Sequence, residues 1–166
     1  FAVAPLLKLL TVEKLGKVRI AISGLSGCGN TTISKIVARK LRLKRINYTL
    51  RNLARELKKP FQQIQREAKN KPQYDYAVDK KQAIFAAKNK NSVLASRLAI
   101  WLDDKRVLSK IGLPKQKPEF DLLVWLDAPL QERARRIAKR EKISLLAALR
   151  QTKKRDEDNH KRYKKL

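Results

Sequence analysis

The chain has 166 residues, 43% of them hydrophobic, enough for one domain with its own core. A single cysteine, Cys28, and a single histidine, His160, exclude an internal disulfide and argue against a metal site built from Cys or His and against Ser-His catalysis. Lys and Arg number 41 against 15 acids, a formal net charge of +26 that repels itself in the folded state unless an anion offsets it.

Residues 1–16, FAVAPLLKLLTVEKLG, read as an N-terminal extension to a single domain spanning 1–166. Their apolar start lacks a basic lead-in and a cleavage-like site, so no secretory leader is expected. The chain opens on Phe1 and holds no Met, so a natural start upstream is expected. No apolar run reaches the roughly 18 residues that a membrane span needs, which points to a cytoplasmic protein without a membrane partner. Residues 18–23, VRIAIS, are a β-rich run ending at glycine and read as a buried parallel strand. Ile33, Ile36, Val37 and Leu41 then recur at helical spacing and predict a helix over 31–43. Residues 44–50 are a candidate second strand. Residues 51–59 and 61–69 read as short helices divided by Pro60, and 73–90 as a longer one. SVLAS, 92–96, and DLLVWLD, 121–127, are strands, and the Pro- and Lys-rich stretch 103–120 between them is expected to be a surface loop. Pro129 suits a first helical turn. Helices over 129–141 and 143–165 make a basic helical lid and tail, 129–166. Strands alternating with helices predict a three-layer α/β/α fold with a parallel sheet, and the glycine-rich stretch 23–33 makes it a phosphate-loop fold.

One stretch carries chemistry directly. SGLSGCGNTTI, residues 23–33, follows the pattern G-x-x-x-x-G-K-[ST] from Gly24 to Thr31, except that Asn30 stands where lysine is expected. Gly24, Gly27 and Gly29 let backbone N–H groups approach a phosphate, and the following helix points its positive end at it. Thr31, with Thr32 beside it, offers a hydroxyl to Mg²⁺. The usual lysine reaches the β- and γ-phosphates as charge moves. Asn30 donates hydrogen bonds but brings no charge. Glycines would serve a plain tight turn equally well, but strand, loop and helix occur in the order that the motif needs.

From Lys17 to Tyr163 the chain resembles the archaeal-type cytidylate kinases, a family of small nucleoside monophosphate kinases. The blocks that carry the resemblance are VRIAISGLSGCGNTTISKIVARKL, DYAVDKKQAIFAAKNKNSVLASRLAIW, WLDAPLQERARRIAKREKIS and ALRQTKKRDEDNHKRYK. The resemblance implies a nucleoside monophosphate kinase fold, a helical segment that binds the monophosphate, and an arginine-bearing lid. In the lid, Arg133, Arg136 and Arg140 match arginines that contact phosphates, and Arg150 and Arg155 belong to the same region. Spacings of three and four place the first three on one helical face. On the monophosphate side Asp79, Arg97 and Arg51 are matched.

Three departures from the family pattern stand out. Asn30 replaces the loop lysine, although some relatives carry Thr there. Ala95 and Ser96 stand where the family has an acidic residue and a glycine before the arginine matched by Arg97. INYTLRNLA lacks the Gly-Asp that precedes the arginine matched by Arg51. Losing one charge-stabilising group commonly costs about 10² to 10³ in rate. Together with the charge, the departures predict a degenerate relative, a pseudoenzyme in which Asn30, Arg97, Arg133 and Arg136 are remnants. The expected role is a structural protein of the ribosome, or one associated with it, binding ribosomal RNA beside neighbouring ribosomal proteins and requiring no cofactor. Acids are sparse early, with only Glu13, Glu56 and Glu67 before Asp75, and basic residues cluster. The expected contacts to an RNA backbone are Arg39, Lys40, Arg42, Lys44 and Arg45, then Lys58 and Lys59, then Arg133, Arg136 and Arg140, and finally Lys161, Arg162, Lys164 and Lys165. A solvated surface would account for any one of these clusters. The alternative is an active cytidylate kinase that moves the ATP γ-phosphate to CMP or dCMP with Mg²⁺. It rests on the loop glycines, Thr31 and the lid arginines. An RNA-binding protein that keeps a nucleotide for structure or regulation lies between the two.

Overall fold

The computed structural model describes residues 17–113, 115 and 117–163, with side chains as far as Lys161. Four strands, β1 (Arg19–Gly24), β2 (Lys44–Ile46), β3 (Ser92–Ala95) and β4 (Leu122–Leu126), form one parallel sheet in the order β2-β3-β1-β4. In β1, Ile20 pairs with Val93 on one side and Leu122 on the other. Between and after the strands lie α1 (Asn30–Lys40), α2 (Leu50–Glu56), α3 (Phe61–Glu67), α4 (Gln73–Lys88), a 3₁₀ turn (Ala99–Trp101), α5 (Lys105–Lys110), α6 (Leu130–Glu141) and α7 (Leu145–Tyr163).

Strand side chains alternate between faces, so β1 feeds two cores. Ile20 and Ile22 pack with Val37 and Leu41 around α1. Ala21 points the other way, into a cluster with Leu94, Ala83 and Ala86 of α4, and Leu102 and Leu108. Helices on both faces give the expected three layers. Two satellite clusters complete the packing: Tyr48, Leu53 and Val78 tie α2 to α4, and Ala134, Ile137 and Ala148 tie α6 to α7.

Several expected boundaries move, each for a local reason. The first helix stops at Lys40, because Arg42 takes a left-handed φ of 51°. The second strand stops at Ile46, because the chain turns at Thr49 to start α2. The expected loop 103–120 contains α5. Its cap is Asp104, whose carboxylate accepts the Arg106 N–H at 2.8 Å, and its Val107 and Leu108 are buried. β4 lies at a sheet edge with Leu123 and Trp125 about half exposed, at 50% and 46%. The expected N-terminal extension, residues 1–16, lies outside the described residues, as do Lys164 and Lys165 and the side chain of Arg162.

Candidate active site

The loop joining β1 to α1 has the backbone that its glycines predict. Gly27 and Gly29 are left-handed, with φ of 86° and 100°, a conformation that glycine adopts without a steric cost. Left-handed residues in such loops build concavities of N–H groups that bind anions, and the positive end of α1 adds to the field. A Cβ at Gly24 would stand 2.4 Å from the Leu126 carbonyl oxygen, so the first glycine is where the end of β4 packs on the loop. A Cβ at Gly29 would meet nothing within 4 Å, so the cradle is open there. Asn30 opens α1, and its Nδ2 donates to the Gly24 carbonyl at 3.4 Å. Its Oδ1 is buried with no hydrogen-bond partner in the protein. Thr31 and Thr32 are exposed.

Helices α6 and α7 are expected from sequence to form a lid, and α6 brings arginines to the loop. Arg133 of α6 is only 5% exposed. Its Nε donates to the Ala128 carbonyl at 2.8 Å, and its Nη1 donates to the Ser26 carbonyl at 3.1 Å and to Asp156 Oδ2 at 2.6 Å. The other carboxylate oxygen of Asp156 accepts the Ser26 N–H at 3.1 Å. Arg136 reaches the carbonyls of Gly27 and Cys28, both at 3.4 Å. Burial pushes the Cys28 thiol up, with the nearby Arg133 charge opposing it. Arg140, expected on the same face, goes elsewhere: it donates to Glu141 at 2.8 Å. Arg155 also donates to Glu141, and the two arginines, Arg155 first, hold that carboxyl below its usual range.

On the other side of the loop Arg97 follows β3. It donates to Asn159 Oδ1 of α7 at 3.1 Å and to Asp75 Oδ1 at 3.4 Å. Ser96 has its Oγ buried without a hydrogen-bond partner, while its carbonyl accepts from Ser23 Oγ at 2.9 Å. Asp79 is half-buried on α4, and the Arg51 guanidinium lies 4.0 Å above the Phe61 ring. The turn that lacks the family's Gly-Asp is nonetheless closed: Asn52 Oδ1 accepts the Thr49 N–H at 2.9 Å at the start of α2. Sequence reasoning missed Ser26, Asp156 and Asn159. Asp156 and Asn159 are three apart and so share a helix face, but in KKRDEDNHKR that spacing is hidden within a charged run.

Of the basic residues expected to hold RNA, most lie on the surface. Arg39, Lys40, Arg42, Lys44, Lys58, Lys59 and Lys161 are exposed. Arg45 is half-buried and donates to Ser34 Oγ at 3.0 Å and Asn47 Oδ1 at 3.3 Å. Arg133 is buried and turned onto the loop, where it donates to the Ser26 carbonyl. Among the described residues no group of three or more His, Cys, Asp or Glu is placed to hold a metal ion by itself. Among them, too, no helix is long and apolar enough to cross a membrane.

A family model described as an AAA domain matches residues 20–161. A protein named cytidylate kinase 2 from Borrelia garinii is 39% identical over 148 residues, covering 87% of this chain and 75% of that one. A cytidylate kinase from Methanocaldococcus jannaschii is 38% identical over 149 residues, covering 89% and 78%. Among solved structures, deoxyadenosine kinase from M. mycoides with bound dATP superposes with a TM-score of 0.55 at 21% identity, covering 89% of this chain and 85% of that one. The last likeness shows the phosphate-loop kinase fold.

These findings overturn the expectation of a ribosomal structural protein with ribosomal RNA and ribosomal proteins as partners, and with it the ribosomal location and the lean toward a pseudoenzyme. The relatives that align along nearly nine-tenths of the chain are named as kinases. The physical error was twofold. A charge of +26 calls for anions but does not say which. The phosphate loop keeps the geometry expected of it despite Asn30, and the turn before Arg51 is closed by Asn52 although it lacks the family's Gly-Asp. Identity of 38–39% along nearly nine-tenths of its length places the chain in the cytidylate kinase family.

Proposed function

We propose that the protein is a nucleoside monophosphate kinase that transfers the γ-phosphoryl group of ATP to CMP or dCMP. The observation that carries this reading is the formed phosphate loop, with left-handed Gly27 and Gly29 and with Arg133 and Arg136 of the lid directed at its backbone. The loop suits a triphosphate: Gly27 and Gly29 are left-handed and the cradle is open at Gly29. The loop N–H groups bind the donor phosphates, and Arg136, which reaches the Gly27 and Cys28 carbonyls of that loop, would meet the charge that develops on the transferred group. Arg97 and Arg51 are the arginines on the monophosphate side that would bind the acceptor phosphate. Thr31 is the hydroxyl that would hold Mg²⁺, which neutralises charge on the transferring group. An acceptor phosphate oxygen attacks the γ-phosphorus, the bond to the bridging oxygen breaks, and ADP leaves with the electron pair. Asn30 keeps the hydrogen-bonding part of the lysine's role, and the arginines supply the cation that it lacks.

A coupled assay with ATP, CMP and Mg²⁺ tests this. ADP should form in proportion to CMP, with turnover within tenfold of about 10 s⁻¹, a typical enzyme rate. A folded preparation that makes no ADP with CMP, dCMP or any other nucleoside monophosphate would overturn the proposal.

A further inference from the structure

Helix α7 does more than continue the lid. Ala148 packs in the cluster with Ala134 and Ile137, and Thr152 is fully buried one turn later. The same face then carries Asp156 and Asn159 at helical spacing. The packing of the first half of α7 on α6 therefore delivers these two side chains to the site. Asp156 binds two groups at once, accepting the Ser26 N–H at 3.1 Å and Arg133 Nη1 at 2.6 Å. Asn159 accepts from Arg97 at 3.1 Å. A loop amide and a guanidinium are the donors that a phosphate oxygen would use. Here a carboxylate, of like charge to phosphate, holds both.

We propose that Asp156 is a built-in phosphate surrogate: in the nucleotide-free protein it latches α7 onto the phosphate loop, and ATP must displace it to bind. This rests on the kinase reading above and adds to it a competition between the lid and the donor. The opposing view, that Asp156 only holds Arg133 in place, predicts the opposite sign, because losing the carboxylate would then weaken the site. With the latch, a bound nucleotide takes over the Ser26 N–H and Arg133, and α7 is freed from the loop. Asn159 is a second, weaker point of attachment that holds the acceptor-side Arg97 in the same closed state.

The test is ATP affinity, measured by calorimetry without CMP, on the wild-type chain and on Asp156→Asn. The variant keeps the side-chain shape and an acceptor for Ser26 while removing the charge. ATP should bind about fivefold more tightly, the effect of one water-screened charge at contact distance. Unchanged or weaker binding overturns the latch. The substitution leaves Arg133 without its counter-ion, so circular dichroism must show a folded variant. If it does not fold, Asn159→Ala serves instead. That substitution leaves the Arg133–Asp156 pair intact and should tighten ATP about twofold by removing one solvent-exposed hydrogen bond, from the Arg97 guanidinium, that closes α7; no tightening overturns the proposal. CMP-dependent turnover, measured in parallel, separates the two readings. Tighter ATP binding without turnover leaves the latch standing and removes the kinase assignment. Turnover without tightening does the reverse.

Discussion

At the scale of single residues, the phosphate loop shows that two glycines of like conformation serve different ends. Gly27 and Gly29 both lie in the left-handed region, where a Cβ costs roughly 1–2 kcal/mol. Their surroundings differ. A Cβ on Gly27 would stand 2.9 Å from the Arg133 carbonyl oxygen and 3.1 Å from both Arg133 Cβ and Ile137 Cδ1. On Gly29 it would meet nothing. Gly29→Ala therefore carries the backbone strain alone, while Gly27→Ala adds an overpacking cost of about 1–3 kcal/mol and pushes α6 off the loop. Urea unfolding should rank Gly27→Ala as the more destabilising by at least about 1 kcal/mol, and its KM for ATP should rise more than that of Gly29→Ala. Equal losses in the two variants would mean that α6 does not rest on the loop as the structure has it.

At the scale of elements, the corner between α3 and α4 is held by one carboxylate. Glu67 accepts from Tyr74 Oη at 2.6 Å, from Gln63 Nε2 at 2.9 Å and from Lys71 Nζ at 3.1 Å. These bonds, Tyr74 first, pull its carboxyl down to about 2, against about 4.3 for a free Glu. A depressed folded pKa means that the ionised form favours the folded corner. The contribution is whole above about pH 4.3 and is lost as pH falls toward about 2. An NMR titration should show Glu67 and the Tyr74 ring moving together well below pH 4, and Glu67→Gln should abolish the ring's titration in that range. A midpoint near 4.3 would show that the corner is open in solution.

Elements also set what sequence could reveal. The β1–loop–α1 unit was legible because its signal is local: a glycine pattern between an apolar strand and a periodic helix. α5 was not, since Pro and Lys flanking Lys105–Lys110 mask a single turn and a half that owes its place to the burial of Val107 and Leu108. The lid was half legible. Spacing placed Arg133, Arg136 and Arg140 on one face, and the first two do reach the loop. Arg140 is diverted by Glu141, its neighbour in the chain and a partner of Arg155. Asp156 was hidden because its importance lies in a contact 130 residues away in sequence, at Ser26. No local pattern encodes that.

At the scale of the whole molecule, the +26 charge has to be carried by a fold of only 166 residues. The ion pairs found do little to offset it. Most join partly or well exposed groups, as Lys81 with Glu56 and Arg106 with Asp104 do, and such pairs are worth at most about 1 kcal/mol. The clusters at Arg39, Lys40, Arg42 and Lys44 and at Lys58 and Lys59 sit on the surface with like charges beside them. Their repulsion is long-ranged, so it is screened by salt more readily than the contacts of the core. Raising ionic strength from about 0.01 to about 0.15 M shortens the screening length from about 30 to about 8 Å. The melting temperature should therefore climb over that range, and it should climb further with phosphate or sulfate than with chloride at equal ionic strength, because those anions also fit the loop between Gly24 and Thr31. Thermal scans in the three salts separate the two effects. A rise common to all reports the surface charge, and the extra rise with phosphate or sulfate reports occupation of the site. Gly27→Ala should erase most of that extra part and leave the common one. A melting temperature that falls with salt would show that attractive ion pairs, rather than the excess of cations, govern the stability of this chain.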